Sequence, residues 1–263
     1  MRHVADVAGR ELRALFVSPV AYGVLSLFSV LAGVFFILGV AWFNDLLIRM
    51  NQFQAFEQLQ SLNLNDHLIA EYFGSMSVVL LFLIPGVTMG LFAAEKTNGT
   101  QELLLTSPLT IWDVVLGKFL AGVIFTALLV AIVGLYPGLL FVYGNPGPEV
   151  LRTLSGLIAL LLVGWTYVAI GAFASSVTRS QVIAFLITFV LLLCLLLLPA
   201  ISDLGVMGGG GWLSGALRYV STGPHFEELV KGLVDTSDLA YFAVMIGGFL
   251  LLTKTAVESV RWR

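Results

Sequence analysis

Six stretches of the chain, residues 22–43, 72–94, 117–143, 154–177, 181–201 and 239–255, have apolar cores with no Asp, Glu, Lys or Arg. Each is close to the roughly 20 residues a helix needs to cross a bilayer. Inside hydrocarbon the backbone must satisfy its own hydrogen bonds, which leaves only helices and closed barrels. The stretches are apolar on every side rather than alternating, so helices are expected and a barrel is not. Composition agrees: 59% of the 263 residues are hydrophobic and 11% are charged, where a soluble domain is about a quarter charged. This excludes a soluble enzyme and a disordered chain. A net charge of −3 and 13 basic residues leave no basic face for nucleic acid. The lone cysteine, Cys194, lies in an apolar run, so neither a disulfide framework nor a metal cluster is expected. The expected fold is an all-α integral membrane protein with six transmembrane helices, as one domain over residues 1–263.

Lysine and arginine set the orientation. With the N-terminus inside, Arg2, Arg10, Arg13, Lys96, Lys118, Arg179, Lys254, Arg261 and Arg263 are cytoplasmic, and Arg49, Arg152, Arg218 and Lys231 are outside, nine against four. Both termini are therefore expected in the cytoplasm. The basic start resembles a signal peptide, but the apolar stretch is too long and no small-residue cleavage site follows, so it reads as a retained first helix. Before it, Val4, Val7, Leu12, Leu15 and Phe16 recur at helical spacing beside Arg10, Glu11 and Arg13. Residues 1–18 are thus predicted to form an amphipathic helix on the cytoplasmic membrane surface, ending at Ser18-Pro19.

The connections are unequal. The first outer loop, Asn44–Glu71, has apolar residues from Leu46 to Leu62 at a spacing that suits a surface helix capping the bundle. The last, residues 202–238, contains the glycine run Gly208–Gly211. No Gly-Lys-Ser/Thr follows that run, so it reads as a joint and not as a phosphate cradle. Within the spans Thr88, Thr126, Thr166, Thr188, Tyr136 and Tyr167 are the notable polar residues, expected to make helix–helix hydrogen bonds. Gly86-x-x-x-Gly90 and Gly134-x-x-x-Gly138 are expected to permit close helix approach. No ionisable group stands ready to bind a coupling ion, which argues against an ion-driven carrier. His3, His67 and His225 are scattered, and no metalloprotease motif, nucleophile elbow or P-loop occurs. The chain is not expected to be an enzyme by itself or to bind a cofactor.

The most patterned stretch is the cytoplasmic segment 95–116, continuing to Lys118. It carries Glu95-Lys96, Gly99-Thr100, Glu102-Leu103-Leu104, Ser107-Pro108, Asp113 and Gly117-Lys118. A short helix over 101–106 and a second cap at Thr110 are predicted. Further patterned pieces are Glu11-Leu12, Ser18-Pro19-Val20-Ala21-Tyr22, and Gly171 followed by Ser175-Ser176-x-Thr178-Arg179. With these, the chain resembles the membrane (permease) subunit of ABC-2-type transporters, whose transmembrane domain is type V exporter-like. A third group, His225-Phe226, Lys231-Gly232, Asp235 and Asp238 with Tyr241-Phe242, is similar to the gliding-motility-associated (GldF-like) and nitrous-oxide-maturation-type permeases. Lys231 stands where those have arginine.

The resemblance implies a bacterial inner-membrane, multi-pass subunit of an exporter. It implies two cytoplasmic ATP-binding subunits that hold ATP and Mg, a second permease copy or paralogue as dimer partner, and room for a periplasmic or auxiliary membrane subunit. Segment 95–116 would be the coupling helix: Glu95, Lys96, Gly99, Thr100, Glu102, Leu103, Leu104, Ser107 and Pro108 would dock the ATPase, and the N-terminal helix would be a secondary contact. The other reading is a subunit that passes ATP-driven motion to periplasmic partners without moving a solute.

Overall fold

The computed structural model describes residues 2–52, 63–99, 110–144, 147–203 and 212–259. Among these every regular element is helical. In chain order they are α1 (Arg2–Val17), α2 (Pro19–Gln52), a π-helical turn (Asn65–Ile69) leading into α3 (Ala70–Thr88), α4 (Gly90–Thr97), α5 (Ile111–Tyr143), α6 (Val150–Val177), α7 (Gln181–Asp203), α8 (Trp212–Val220), α9 (Thr222–Val230) and α10 (Thr236–Ser259). Six helical stretches are long and apolar enough to span a membrane, with the turn, α3 and α4 forming the second, Asn65–Thr97.

Helix α2 differs from the sequence reading. Its 34 residues extend roughly 51 Å, against about 30 Å of hydrocarbon. Residues 44–52, assigned to the first outer loop, continue the first span; Asp45 and Arg49 pair one turn apart at 2.8 Å and support the helix there. The rest of the expected surface helix, residues 53–62, lies outside the described residues. At the other end, α1 stops at Val17 and Pro19 opens α2, where its missing N–H leaves no intrahelical bond unmade. Ser18 Oγ accepts from the Val20 amide at 3.3 Å.

The bundle is organised around α6, which packs against α3, α4, α5, α7, α9 and α10. Glycine makes that possible. A Cβ at Gly156 would stand 2.4 Å from Phe73, at Gly164 2.5 Å from Thr126, and at Gly171 2.1 Å from the Thr88 hydroxyl. The two Gly-x-x-x-Gly motifs pack less closely: a Cβ at Gly86 or Gly138 would meet nothing within 4 Å, and one at Gly134 would stand 3.4 Å from Leu157 of α6.

The spans' threonines also depart from expectation. Thr88, Thr126, Thr166 and Thr188 each donate to the carbonyl four residues earlier in their own helix, which satisfies the hydroxyl without a partner helix. Tyr136 does cross between helices, donating to the Ser29 carbonyl of α2 at 2.8 Å over Gly33.

Leu250 and Val257 of α10 cluster with Leu91, Phe92, Val114 and Val115. The end of α10 therefore lies on the side where α4 ends and α5 begins. On the opposite side, part of the long connection 202–238 is ordered as α8 and α9. The run Gly208–Gly211 lies outside the described residues.

Candidate functional site

The N-terminal side of the bundle is built around one buried cation. Lys118 lies about two turns into α5 and its side chain is 1% exposed. A lone ammonium there would be very costly. Glu11 of α1 meets it at 3.0 Å and Glu95 of α4 at 2.9 Å. Arg10 reaches the same two carboxylates, at 3.1 and 3.5 Å. Two bases and two acids thus form a closed ring, and the Lys118 ammonium also sits over the Phe92 ring, 5.3 Å from its centroid. The glycine before the lysine admits α1: a Cβ on Gly117 would lie 2.6 Å from Val7 and 3.0 Å from the Val4 carbonyl. The N-terminal helix is therefore seated on α5, with Val7 and Ala8 buried, instead of resting against the bundle through its apolar face alone.

The end of the second span is gripped from its other flank by α6. Pro85 cannot donate a backbone bond, and the regular helix breaks at Met89 between α3 and α4. Ser175 Oγ bridges the break. It donates to the Met89 carbonyl at 2.8 Å and accepts from the Phe92 and Ala93 amides at 3.0 Å each. One turn on, Lys96 Nζ donates to the Ser176 carbonyl and Thr97 Oγ1 to the Arg179 carbonyl. Two residues past the end of α4, Gly99 has a φ of 69°, a left-handed conformation that glycine adopts without strain. On the far side of the segment, Thr110 and Asp113 form a capping box that starts α5. Both ends of the segment are thus firmly anchored.

The structure brings together Arg10, Glu11 and Glu95 of the sequence-derived site, turns Lys96 to the Ser176 carbonyl of α6, and places Gly99 just past the end of α4. Arg13 is exposed and makes no ion pair among the described residues. Thr100, Glu102, Leu103, Leu104, Ser107 and Pro108, with the predicted helix 101–106, lie outside the described residues. Sequence reasoning missed two residues that hold this site together. Lys118 stood in the pattern as part of Gly-Lys without a role, although a lysine at the start of an apolar span was itself a signal of a buried partner. Ser175 had no signal beyond its motif.

A second polar centre lies at the opposite ends of the spans. His225 of α9 meets Asp238 of α10, Nδ1 to Oδ1, at 2.6 Å, and its Nε2 lies 2.9 Å from the Tyr219 carbonyl of α8. The Tyr241 ring stacks on the imidazole at 4.2 Å, and its hydroxyl donates to the Val220 carbonyl at 2.7 Å. Both imidazole nitrogens face oxygen acceptors, so the arrangement needs two protons, one on each contact. Asp238 Oδ2 is buried with no hydrogen-bond partner among the described residues. Phe226, the next residue along α9, is buried. Gly232 turns the chain at φ 83° with Arg152 Cγ 3.0 Å from where a Cβ would stand. Asp235 lies apart from the pair, at the head of α10. The Ser237 hydroxyl and amide hold its carboxyl below the usual carboxylate range. Thus His225 and Asp238 form one contact, while Phe226, Gly232 and Asp235 shape the turn around it. This centre ties α8, α9 and α10 together. Among the described residues no three of His, Cys, Asp and Glu come together as metal ligands.

Residues 7–254 match the family described as ABC-2 family transporter protein. No curated protein matches the chain.

Proposed function

The chain belongs to the ABC-2 transporter family and is a membrane permease subunit of an ABC transporter, not its ATPase; on that premise we propose that it converts ATP-driven closure of two separate cytoplasmic subunits into movement of its spans, and that the movement exports cargo. The observation that carries this reading is the ion ring of Lys118, Glu11, Glu95 and Arg10. It joins the N-terminal helix, the end of the second span and the start of the third at both borders of segment 95–116. A push on that segment then meets anchored helices at both of its borders. It reaches α3 and α5 through α4 and Lys118, and reaches α6 through Ser175.

In this scheme Glu95, Lys96, Gly99, Thr100, Glu102, Leu103, Leu104, Ser107 and Pro108 form the docking segment, and α1 gives a second contact. Mg and ATP are held by the partner subunits, where the nucleotide supplies the driving energy. The lysine and arginine excess of nine to four supports a cytoplasmic position for this side, and the family supports a bacterial inner membrane as its location. The first and fifth spans are the least covered within the chain, which leaves α2 and α7 available to a second permease copy or a paralogue.

Glu102→Lys tests the docking assignment. The variant should insert normally yet fail to retain the ATP-binding subunits when the complex is purified from membranes, and permease-dependent stimulation of ATP hydrolysis should be lost. Retention and stimulation at wild-type levels would overturn the assignment.

A further inference from the structure

On the side opposite the ion ring, a cleft of about 560 Å³ opens between the start of the second span, the end of α7 and helix α9. Its wall changes character with depth. Glu71, Ser75, Val78 and Phe82 follow one another at helical spacing along α3, so they share one face. Glu71 is exposed at the outer end, Ser75 and Val78 line the cleft, and Phe82 is 54% exposed further in. Opposite this stripe, Leu196 of α7 lines the cleft. Deeper, Phe82 meets Phe189 of α7 with ring centroids 5.3 Å apart. From Glu71 to Phe82 a helix advances roughly 16 Å, about half of the roughly 30 Å hydrocarbon layer. The gradient from carboxylate to hydroxyl to aliphatic to aromatic thus runs the depth of one leaflet.

The mouth carries charges of both signs. Glu71 on α3 and Glu227 on α9 face the same opening as Lys231, just past α9. None of the three makes an ion pair among the described residues. The nearby acid Asp66 is engaged, with Arg152 at 3.4 Å. The wall bearing Glu227 is held in place from behind, because His225 on the other face of α9 is locked to Asp238.

We propose that this cleft binds an outer-leaflet amphiphile whose head group carries an ammonium and a phosphate. The ammonium lies against Glu71 and Glu227, the phosphate against Lys231, and one chain follows Val78 and Phe82 toward Phe189. Charges of both signs around one opening suit a zwitterion better than an anion, because an anionic head would face two uncompensated carboxylates.

The test is binding to the purified permease complex in detergent, without nucleotide, so that its failure is separate from any failure of the coupling assignment. The probes are dioctanoyl phosphatidylethanolamine, dioctanoyl phosphatidylglycerol and free phosphoethanolamine. The ethanolamine lipid should bind saturably, with the glycerol lipid about tenfold weaker, since a charge-assisted hydrogen bond is worth about that factor. Glu71→Gln with Glu227→Gln should bring the ethanolamine lipid to the level of the glycerol lipid. Lys231→Gln, at an exposed side chain, should weaken both lipids. Equal binding of the two lipids, or an unchanged affinity in the double variant, would overturn the proposal. Phosphoethanolamine binding as tightly as the lipid would overturn the part played by the chain.

Discussion

The two polar centres at opposite ends of the bundle solve the same problem in different ways. Each buries a titratable group where spans meet an interfacial helix, and each joins three elements. The inner one is a charge device. Lys118 is 1% exposed, and the Glu11 and Glu95 side chains are 18% and 20% exposed, so the carboxylates keep partial contact with solvent while the ammonium depends wholly on them. The outer one is a hydrogen-bond device. His225 and Asp238 are enclosed at 9% and 2% exposure, and the imidazole meets an oxygen at each of its two nitrogens. The inner device links positions distant in sequence, Glu11 with Lys118, and so can carry motion between helices. The outer one links residues 13 apart and fixes a local turn.

Substitutions separate the two directly. Glu11→Gln with Glu95→Gln should have the largest effect, because it leaves the buried Lys118 ammonium without a carboxylate. Stranding a buried charge costs about 3–5 kcal/mol, to be read as a lower thermal midpoint in detergent, and Lys118→Gln should cost less, because Arg10 and solvent still serve both carboxylates. If the double variant is silent, the ring is not a charge device. Asp238→Ala should come next, at about 1–3 kcal/mol, since it strands a buried imidazole nitrogen. Asp238→Asn should cost under about 1 kcal/mol, because the amide can donate to Nδ1 while Nε2–H still serves the Tyr219 carbonyl. An Asn variant as unstable as the Ala variant would show that charge matters there too.

The smallest effect concerns Asp235. Its carboxyl is held below the usual range by Ser237, so the folded form binds its proton less readily than the unfolded form. That contribution is complete above the unfolded carboxylate value and is lost as pH falls below about 4. Asp235→Asn should therefore narrow the difference in thermal midpoint between neutral and acidic pH. A variant with the wild-type difference would remove Asp235 from the outer turn's stability.

How much was legible in the sequence follows from the range of each signal. The spans announced themselves because twenty consecutive apolar residues are a local property. The break at Ser18-Pro19 and the cap at Thr110 were readable for the same reason: each depends on a few neighbouring residues. The length of α2 was not, because Asp45 and Arg49 look like loop residues until their spacing is set on a continuing helix. The packing glycines were mistaken as well. Gly86 and Gly90 have the familiar spacing, yet Gly156, Gly164 and Gly171 do the packing, since only the placement of α6 among its neighbours says which faces must come close. The threonines reversed for a similar reason, as a carbonyl four residues back is always within reach and a partner helix is not.

By itself, the sequence determined that the chain lives in a membrane, how many times it can cross, which side its lysines and arginines favour for the cytoplasm, and where the patterned segment lies. Those follow from solvation and local geometry, which act residue by residue. Only the tertiary structure decided that Lys118 is the hub joining α1, α4 and α5, that Ser175 repairs the broken second span, and that His225 and Asp238 lock α9 beneath the outer cleft. Each of these depends on bringing groups from separate helices to within hydrogen-bond distance, and a charge or hydroxyl buried in the bundle acquires its meaning only from the partner that packing supplies.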